Sequence, residues 1–160
     1  KVVDYQSGFE KTITGILPAL AGANVIYGLG MLEMGITFDL AQLVLDHETA
    51  GMILHSLRGV AVNDETLAVD VIKELGIGKD YLSHETTLQN MRCQSQAYLM
   101  DRRMREDWEG AGSKDAYQRA HDKMLEILES YEPPALPADV LTTIRSIVIE
   151  SEKERGVYQK

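Results

Sequence analysis

The sequence has one cysteine, only ten aromatic residues (two Phe, one Trp and seven Tyr, 6% of the chain) and no long apolar run. Cys93 has no second cysteine with which to form a disulfide or a CxxC zinc site, so we expect a half-buried thiol in a reducing cytoplasm. No apolar run approaches the ~18 residues of a membrane span, and we expect no signal sequence in the mature protein. We therefore expect a soluble chain without a membrane partner.

Positive charge is also scarce. The chain has 16 Lys and Arg against 25 Asp and Glu, a formal net charge of −9 at pH 7. Because a surface that follows nucleic-acid phosphates needs clustered cations, no nucleic-acid partner is predicted. Arg102, Arg103 and Arg105 alternate with acidic residues, a pattern typical of a solvated helix face of mixed sign.

The pattern of apolar residues predicts alternating strands and helices in the first part of the chain. Helical spacing predicts a helix over residues 6–20, ended by Gly22, and a second helix opened by Thr37 or Asp39. Between them, residues 24–27 have the composition of a short buried strand, and residues 1–3 resemble the end of another. This order is typical of βα units, so an α/β fold with a parallel sheet is predicted.

The second part of the chain, beyond about Arg92, is more charged, and the spacing of its apolar residues predicts helices. A helix capped by Asn63 and closed by Gly76 precedes it. Ser113 is predicted to cap a helix that the prolines at 133–137 end, and Pro137 to lie in the first turn of the last helix.

Three motifs are candidates for a binding site. Gly28-Leu29-Gly30 follows a predicted strand but lacks the third glycine of GxGxxG, and Glu33 would repel a phosphate, so a dinucleotide site is not favoured. His47 and His55 lack a ligand partner at i, i+4, so no metal ligand is assigned. His84 lies in the irregular segment 81–92, where a loop cap and a substrate contact both remain open.

Two acidic residues are the strongest candidates for a role in substrate binding or catalysis. Asp4 and Glu33 each follow the predicted carboxyl end of a strand, and neighbouring strands of a parallel barrel would bring both to one mouth. Gln6, Tyr27 and Met31 lie near them in the sequence. Carboxylates beside an aromatic face suit a methylated ammonium ion, because both attract the cation. A structural alternative stays open, in which Glu33 caps the helix that begins at 37–40.

Four segments together resemble the carboxyl-terminal part of the trimethylamine:corrinoid methyltransferase family, which includes quaternary-amine relatives: DYQSGFEK, GANVIYGLGMLEMGITFDLAQLVLDHE, YLSHETTLQNMR and DRRMREDWEGAGSKDAYQRAHDKMLEIL. The resemblance implies a TIM (β/α)8 barrel. Since a complete barrel takes at least ~200 residues, the chain should be its last portion. Residues 1–92 would form the last βα units with the active-site loops, and residues 93–160 a helical extension packed on the barrel.

The resemblance implies transfer of a methyl group from a methylated amine, either trimethylamine or a quaternary amine such as glycine betaine, to Co(I). The corrinoid would be carried by a partner protein and not bound covalently to this chain. The missing amino-terminal part of the barrel would be a further partner. Some relatives carry pyrrolysine, which is not among these 160 residues, so the choice of amine stays open.

Residue type and predicted position assign the roles in this site. We expect Glu33 and Asp4 to be the catalytic charge partners, and the glycines Gly28 and Gly30 to let the backbone approach the corrinoid. No metal ligand is assigned. Substrate contacts are predicted for Gln6, Tyr27, Met31 and His84.

Two alternatives belong to other classes. The chain could be a stand-alone helical module that binds a partner through its acidic surface without catalysis, or a barrel enzyme of amine metabolism without a corrinoid. The apolar helices after residue 113 also offer surface for a homo-oligomer.

Overall fold

The computed structural model describes residues 2–158, and these residues are mostly helical. Contacts divide the chain into two compact units, one up to Ile127 and one from Leu128 onward. The elements, in chain order, are α1 (Tyr5–Leu20), β1 (Met31–Leu32), β2 (Thr37–Phe38), α2 (Leu40–Ser56), α3 (Asp64–Leu67), α4 (Val69–Leu75), α5 (Glu85–Asn90), α6 (Arg105–Gly110), α7 (Ala116–Ser130) and α8 (Ala138–Glu154).

Helix α1 confirms the first predicted helix and begins with a capping box. Asp4 Oδ1 accepts a hydrogen bond from Ser7 N at 3.1 Å, and Ser7 Oγ accepts one from Asp4 N at 3.0 Å. These bonds satisfy backbone donors that the first helical turn leaves unpaired. Small residues, Gly15 and Ala19, are buried in α1. A Cβ on Gly15 would lie 2.9 Å from Ile53 Cδ1, so the glycine permits close packing of α1 against α2.

Helix α2 carries the centre of the core, and its predicted cap at Asp39 is confirmed. Asp39 Oδ1 accepts from Gln42 N at 2.8 Å, and Tyr117 Oη donates to Asp39 Oδ2 at 3.0 Å, which ties α7 to the start of α2. This hydrogen bond to a carboxylate raises the pKa of the Tyr117 hydroxyl. The buried apolar cluster consists of Ala41, Leu45, Leu99 and Ala120.

Residues 24–27 do not form the predicted strand in this structure. They are irregular, with Val25 and Tyr27 exposed, and no strand among residues 2–158 pairs with them. A strand needs a neighbour for its backbone hydrogen bonds, and residue composition cannot supply one. Residues 2–4 are also not in a strand, while Lys1 lies outside the described residues. The barrel itself stays a prediction.

A two-stranded antiparallel sheet forms where a loop was predicted. Met31 pairs with Phe38, and Leu32 pairs with Thr37. A 3-10 turn over Glu33–Gly35 joins the two strands. This short hairpin leads directly into α2, because Asp39 N also donates to Gly30 O at 2.9 Å.

One helix start and one continuous helix were predicted wrongly. The helix after Asn63 breaks into α3 and α4 at Ala68, whose φ of 47° is left-handed, although Gly76 ends α4 as expected. Asp115, not Ser113, supplies the carboxylate that accepts from the Gln118 backbone N at 2.8 Å at the start of α7.

Exposure differs from the sequence expectation at several positions. Cys93 is exposed, so its predicted half-burial is wrong. The apolar stripe of α1 is likewise largely exposed, including Phe9 and Leu17, although its periodicity predicts burial. Periodicity identifies an apolar helix face but not the surface that covers it. Separately, none of the helices within residues 2–158 combines the length and apolarity needed to cross a bilayer.

Candidate functional site

A cleft of about 630 Å³ lies between the start of α1 and the loop and hairpin over residues 27–35. The structure brings most of the predicted site residues to this one cleft. Among its lining residues are Asp4, Gln6, Tyr27, Gly28, Met31 and Glu33. Gly30 and His84 are not among them.

Asp4 reaches the cleft from a different element than predicted. It precedes a helix rather than following a strand, and its carboxylate accepts the Ser7 backbone N–H. Asp4 is exposed and lines the cleft. Its position therefore combines a structural cap with a negative charge on the cleft wall.

Glu33 lies at the tip of the hairpin. Its φ of 51° and the φ of 53° at Met34 are both left-handed, a conformation that is unusual for residues with a side chain. Thr37 Oγ1 donates to Glu33 Oε2 at 3.2 Å. Asp39 is the cap of α2, so the alternative that Glu33 caps this helix is wrong.

Neutral side chains complete the cleft around the acids. Tyr27 is 85% exposed, so its ring is open to a ligand. Gln6 Nε2 donates to Glu10 Oε1 at 2.9 Å, which places a third carboxylate on the same wall. Met31 Sδ lies 3.8 Å from the position that a Cβ on Gly28 would occupy, so this thioether lies under the loop.

A buried polar network holds the glycine loop in place, and sequence reasoning missed it. Asp46 Oδ2 accepts from Lys11 Nζ at 2.6 Å and from Gly30 N at 2.8 Å, while Asp46 Oδ1 accepts from Gln42 Nε2 at 2.6 Å. Lys11 Nζ also donates to Gly28 O at 3.4 Å. Gln42 and Asp46 are polar residues at i, i+4 among the apolar residues of the first half of α2, and that spacing was the available signal.

Gly30 has a packing role in this structure. Its φ is 78°, and an added Cβ would lie 2.8 Å from Phe38 Cε2 and 3.0 Å from Leu43 Cβ. The space next to Gly30 is therefore filled by protein side chains. The prediction that Gly30 opens the backbone to a ligand has no support in this geometry, whereas Gly28 lines the cleft.

His84 is the N-cap of α5. Its Nδ1 accepts from Thr86 N at 3.2 Å, and its Nε2 lies 3.8 Å from Glu74 Oε2. The structure thus places His84 in the capping role that the sequence left open. It does not bring this ring to the cleft that holds the two acids.

A second cleft, of about 550 Å³, runs along another face of α2. His47 and His55 both line it, together with Tyr98 and Lys123, and the Lys123 ammonium lies 5.9 Å from the centre of the Tyr98 ring. No group of three His, Cys, Asp or Glu side chains within residues 2–158 could hold a metal ion. None of the predicted site residues lines this second cleft.

The first cleft has the chemistry of a cation site. Three carboxylates, from Asp4, Glu10 and Glu33, share its lining with the open face of Tyr27 and the thioether of Met31. Carboxylates balance a positive charge, and an aromatic face attracts it while also contacting apolar methyl groups. The arrangement therefore suits a small cation with an apolar surface.

Comparisons with known proteins agree on one family. The family model described as trimethylamine methyltransferase (MTTB) matches residues 1–156. Trimethylamine methyltransferase MttB of Desulfitobacterium hafniense (strain DSM 10664 / DCB-2) is 54% identical over 157 residues, which cover 98% of this chain and 32% of the relative. MttB1 of Methanosarcina acetivorans is 46% identical over 153 residues, covering 96% and 31%.

A relative with a different named substrate is more distant. Glycine betaine methyltransferase of Desulfitobacterium hafniense (strain Y51) is 29% identical over 157 residues, which cover 98% of this chain and 33% of the relative. The chain thus spans about a third of the length of the curated relatives it matches.

Proposed function

This chain belongs to the trimethylamine methyltransferase family, and from that premise we propose that it forms part of an enzyme that moves a methyl group from a methylated amine to a corrinoid. The corrinoid is the methyl acceptor and is carried by a partner protein. We also propose a cytoplasmic location, in keeping with the exposed thiol of Cys93. The proposal covers the full-length enzyme, of which this chain supplies one wall of the amine site.

We further propose that the chain is the last portion of a (β/α)8 barrel. Residues 1–92 would contribute its last βα units and residues 93–160 the helical extension. Large apolar side chains exposed on α1 and in residues 25–27 support this, because such surfaces are normally covered in a soluble enzyme. The rest of the barrel would cover them and pair with residues 24–27.

The observation that carries the proposed function is the cleft shared by Asp4, Glu33 and Tyr27. A methylated ammonium ion has a delocalised positive charge and an apolar surface. The two carboxylates attract its charge, while the ring contacts its methyl groups. Asp4, Tyr27 and Glu33 come from three separate segments of the chain and line one cleft.

The reaction is a nucleophilic displacement at a methyl carbon. A reduced corrinoid docked as the methyl acceptor would supply the electron pair of the new bond to the methyl carbon, while the C–N bond would break and the nitrogen would keep the bonding pair and leave as a neutral amine. The chain's residues bind and orient the ammonium so that a methyl group faces the acceptor, which lowers the entropic part of the barrier. Positive charge on nitrogen falls during the reaction, so the carboxylates act mainly on substrate binding.

The rim of the cleft is accessible to a large acceptor. Tyr27 is 85% and Met34 is 98% exposed, so neither is covered by other described parts of the chain. Gly28, with a φ of 90°, presents backbone without a side chain at the same cleft. These features fit an acceptor that arrives on another protein and docks over the amine.

The test is Glu33→Gln in the full-length protein, assayed by the absorbance change of the purified corrinoid protein as its cobalt is methylated. Loss of one carboxylate should raise the KM for trimethylamine about tenfold, because one charge contact of ~1.4 kcal/mol is removed. Turnover at saturation should change little. Glu129→Gln is the matched control, since Glu129 does not line the cleft.

Unchanged saturation and turnover in Glu33→Gln would remove Glu33 from the site. The absorbance readout also separates the two alternatives. A binding module without catalysis gives no methylation of cobalt, and a barrel enzyme that needs no corrinoid consumes the amine without changing the spectrum of the corrinoid protein.

A further inference from the structure

We propose that the ion pair between Lys11 and Asp46 sets the charge preference of the cleft, so that it accepts a simple cationic amine and disfavours an amine that also carries a carboxylate. This inference rests on the proposed function and adds specificity-determining residues to it. Asp46 acts here through Lys11, as a positioning residue that does not touch the substrate.

Lys11 is the cation that lines the cleft among residues 2–158. Its ammonium is held against Asp46 Oδ2 at 2.6 Å and against Gly28 O at 3.4 Å. The two side chains are only 22% and 8% exposed. An ion pair this short and this shielded from solvent cancels most of the lysine's charge toward the cleft.

The other charged groups on the cleft are carboxylates with neutral hydrogen-bond donors. Asp4 accepts from a backbone N–H, Glu10 from the Gln6 amide, and Glu33 from the Thr37 hydroxyl. Neutral donors leave a full negative charge on each group. With Lys11 neutralised, the described wall therefore has a net negative charge that attracts an ammonium and repels a carboxylate.

Asparagine at position 46 would remove the charge of Asp46 but keep its shape. Its carbonyl oxygen can accept from Gly30 N, so the loop keeps this hydrogen bond. Its amide group would face Gln42, whose Oε1 is buried and has no hydrogen-bond partner among the described residues. A rotation of the Gln42 amide then pairs the two side chains. Asp46→Asn thus leaves Lys11 charged at an intact cleft.

The experiment measures the KM for trimethylamine and the inhibition constant of glycine betaine against it, in the full-length enzyme with its corrinoid partner. Asp46→Asn should shift the ratio of the two constants about tenfold toward glycine betaine, since one unpaired charge is added near the ligand. The double variant Lys11→Met, Asp46→Asn removes both charges and should restore the ratio to within about threefold.

Asp70→Asn is the matched control, because Asp70 is an exposed aspartate that pairs with Lys73 at 3.7 Å and does not line the cleft. The ratio of the two constants in Asp70→Asn should equal that of the wild type. If Asp46→Asn does not fold, Lys11→Met is decisive, since it leaves Asp46 unpaired and should shift the ratio in the opposite direction.

An unchanged ratio in Asp46→Asn, or a shifted ratio that persists in the double variant, overturns the inference, because a purely structural role is not reversed by removing Lys11. Failure of the proposed function looks different. In that case the wild-type enzyme methylates no cobalt from trimethylamine, and the inference falls with it.

Discussion

Gly30 provides the sharpest test of how the loop is built. A Cβ at this position would lie 2.8 Å from Phe38 Cε2 and 3.0 Å from Leu43 Cβ, in a backbone with a φ of 78°. In Gly30→Ala the left-handed backbone costs ~1–2 kcal/mol, and the forced displacement of the ring and of Leu43 adds ~1–3 kcal/mol. The expected local destabilisation is therefore about 2–5 kcal/mol.

Amide hydrogen exchange in the full-length protein measures this local cost. Asp39 N donates to Gly30 O at 2.9 Å, and Gly30 N donates to Asp46, so exchange at Asp39 reports opening of the loop. Its rate should rise roughly 30- to 4,000-fold in Gly30→Ala, at one decade per 1.4 kcal/mol.

Gly22→Ala is the control that separates strain from packing. Gly22 has a φ of 93° and nothing within 4 Å of an added Cβ, so this variant carries only the backbone cost. Exchange at Ala23, whose N donates to Pro18 O at 3.0 Å, should rise by about tenfold only. Equal increases at the two sites would refute the argument that Phe38 and Leu43 fill the space beside Gly30.

Two further predictions concern charge and exposed apolar surface. The Arg103 side chain donates to Asp101 and lowers the pKa of that carboxyl from 3.8 to about 2. The stabilisation of the fold by this ion pair is therefore present above pH ~3.8 and is lost as the pH falls through ~2. In Arg103→Gln, carbon-detected NMR titration should show the pKa of Asp101 return toward 3.8, and an unchanged value would contradict the assignment. Expressed alone, the 160-residue chain should self-associate, because many large apolar side chains are exposed, and a monodisperse monomer by light scattering would contradict the barrel proposal.

Capping residues in the sequence predicted those helix starts and ends that depend only on nearby atoms. Asp39 caps α2 and Gly76 ends α4 because each acts within three or four residues of its own position. Ser113 failed as a cap because another polar residue, Asp115, lies closer to the first turn of α7. Such competition between neighbouring caps depends on backbone angles that the sequence does not state.

The sequence predicted some residues of the candidate cleft, but the structural elements that bring them together differ from the predicted ones. Asp4 and Glu33 line one cleft as expected, but a helix cap and a hairpin turn bring them there, not two strand ends. The Lys11–Asp46 pair joins residues 35 positions apart. Sequence periodicity cannot detect such a contact, because nothing in a helical pattern specifies which other helix faces it.

The left-handed conformations of Glu33 and Met34 affect attempts to engineer this chain. Two such residues in a row cost ~1–2 kcal/mol each, a penalty that glycine or asparagine would largely avoid. Selection for heat resistance alone would therefore favour replacing them. Variants obtained in that way would gain stability by losing the acidic side chain at the tip of the hairpin, so screens for stable variants should hold position 33 fixed.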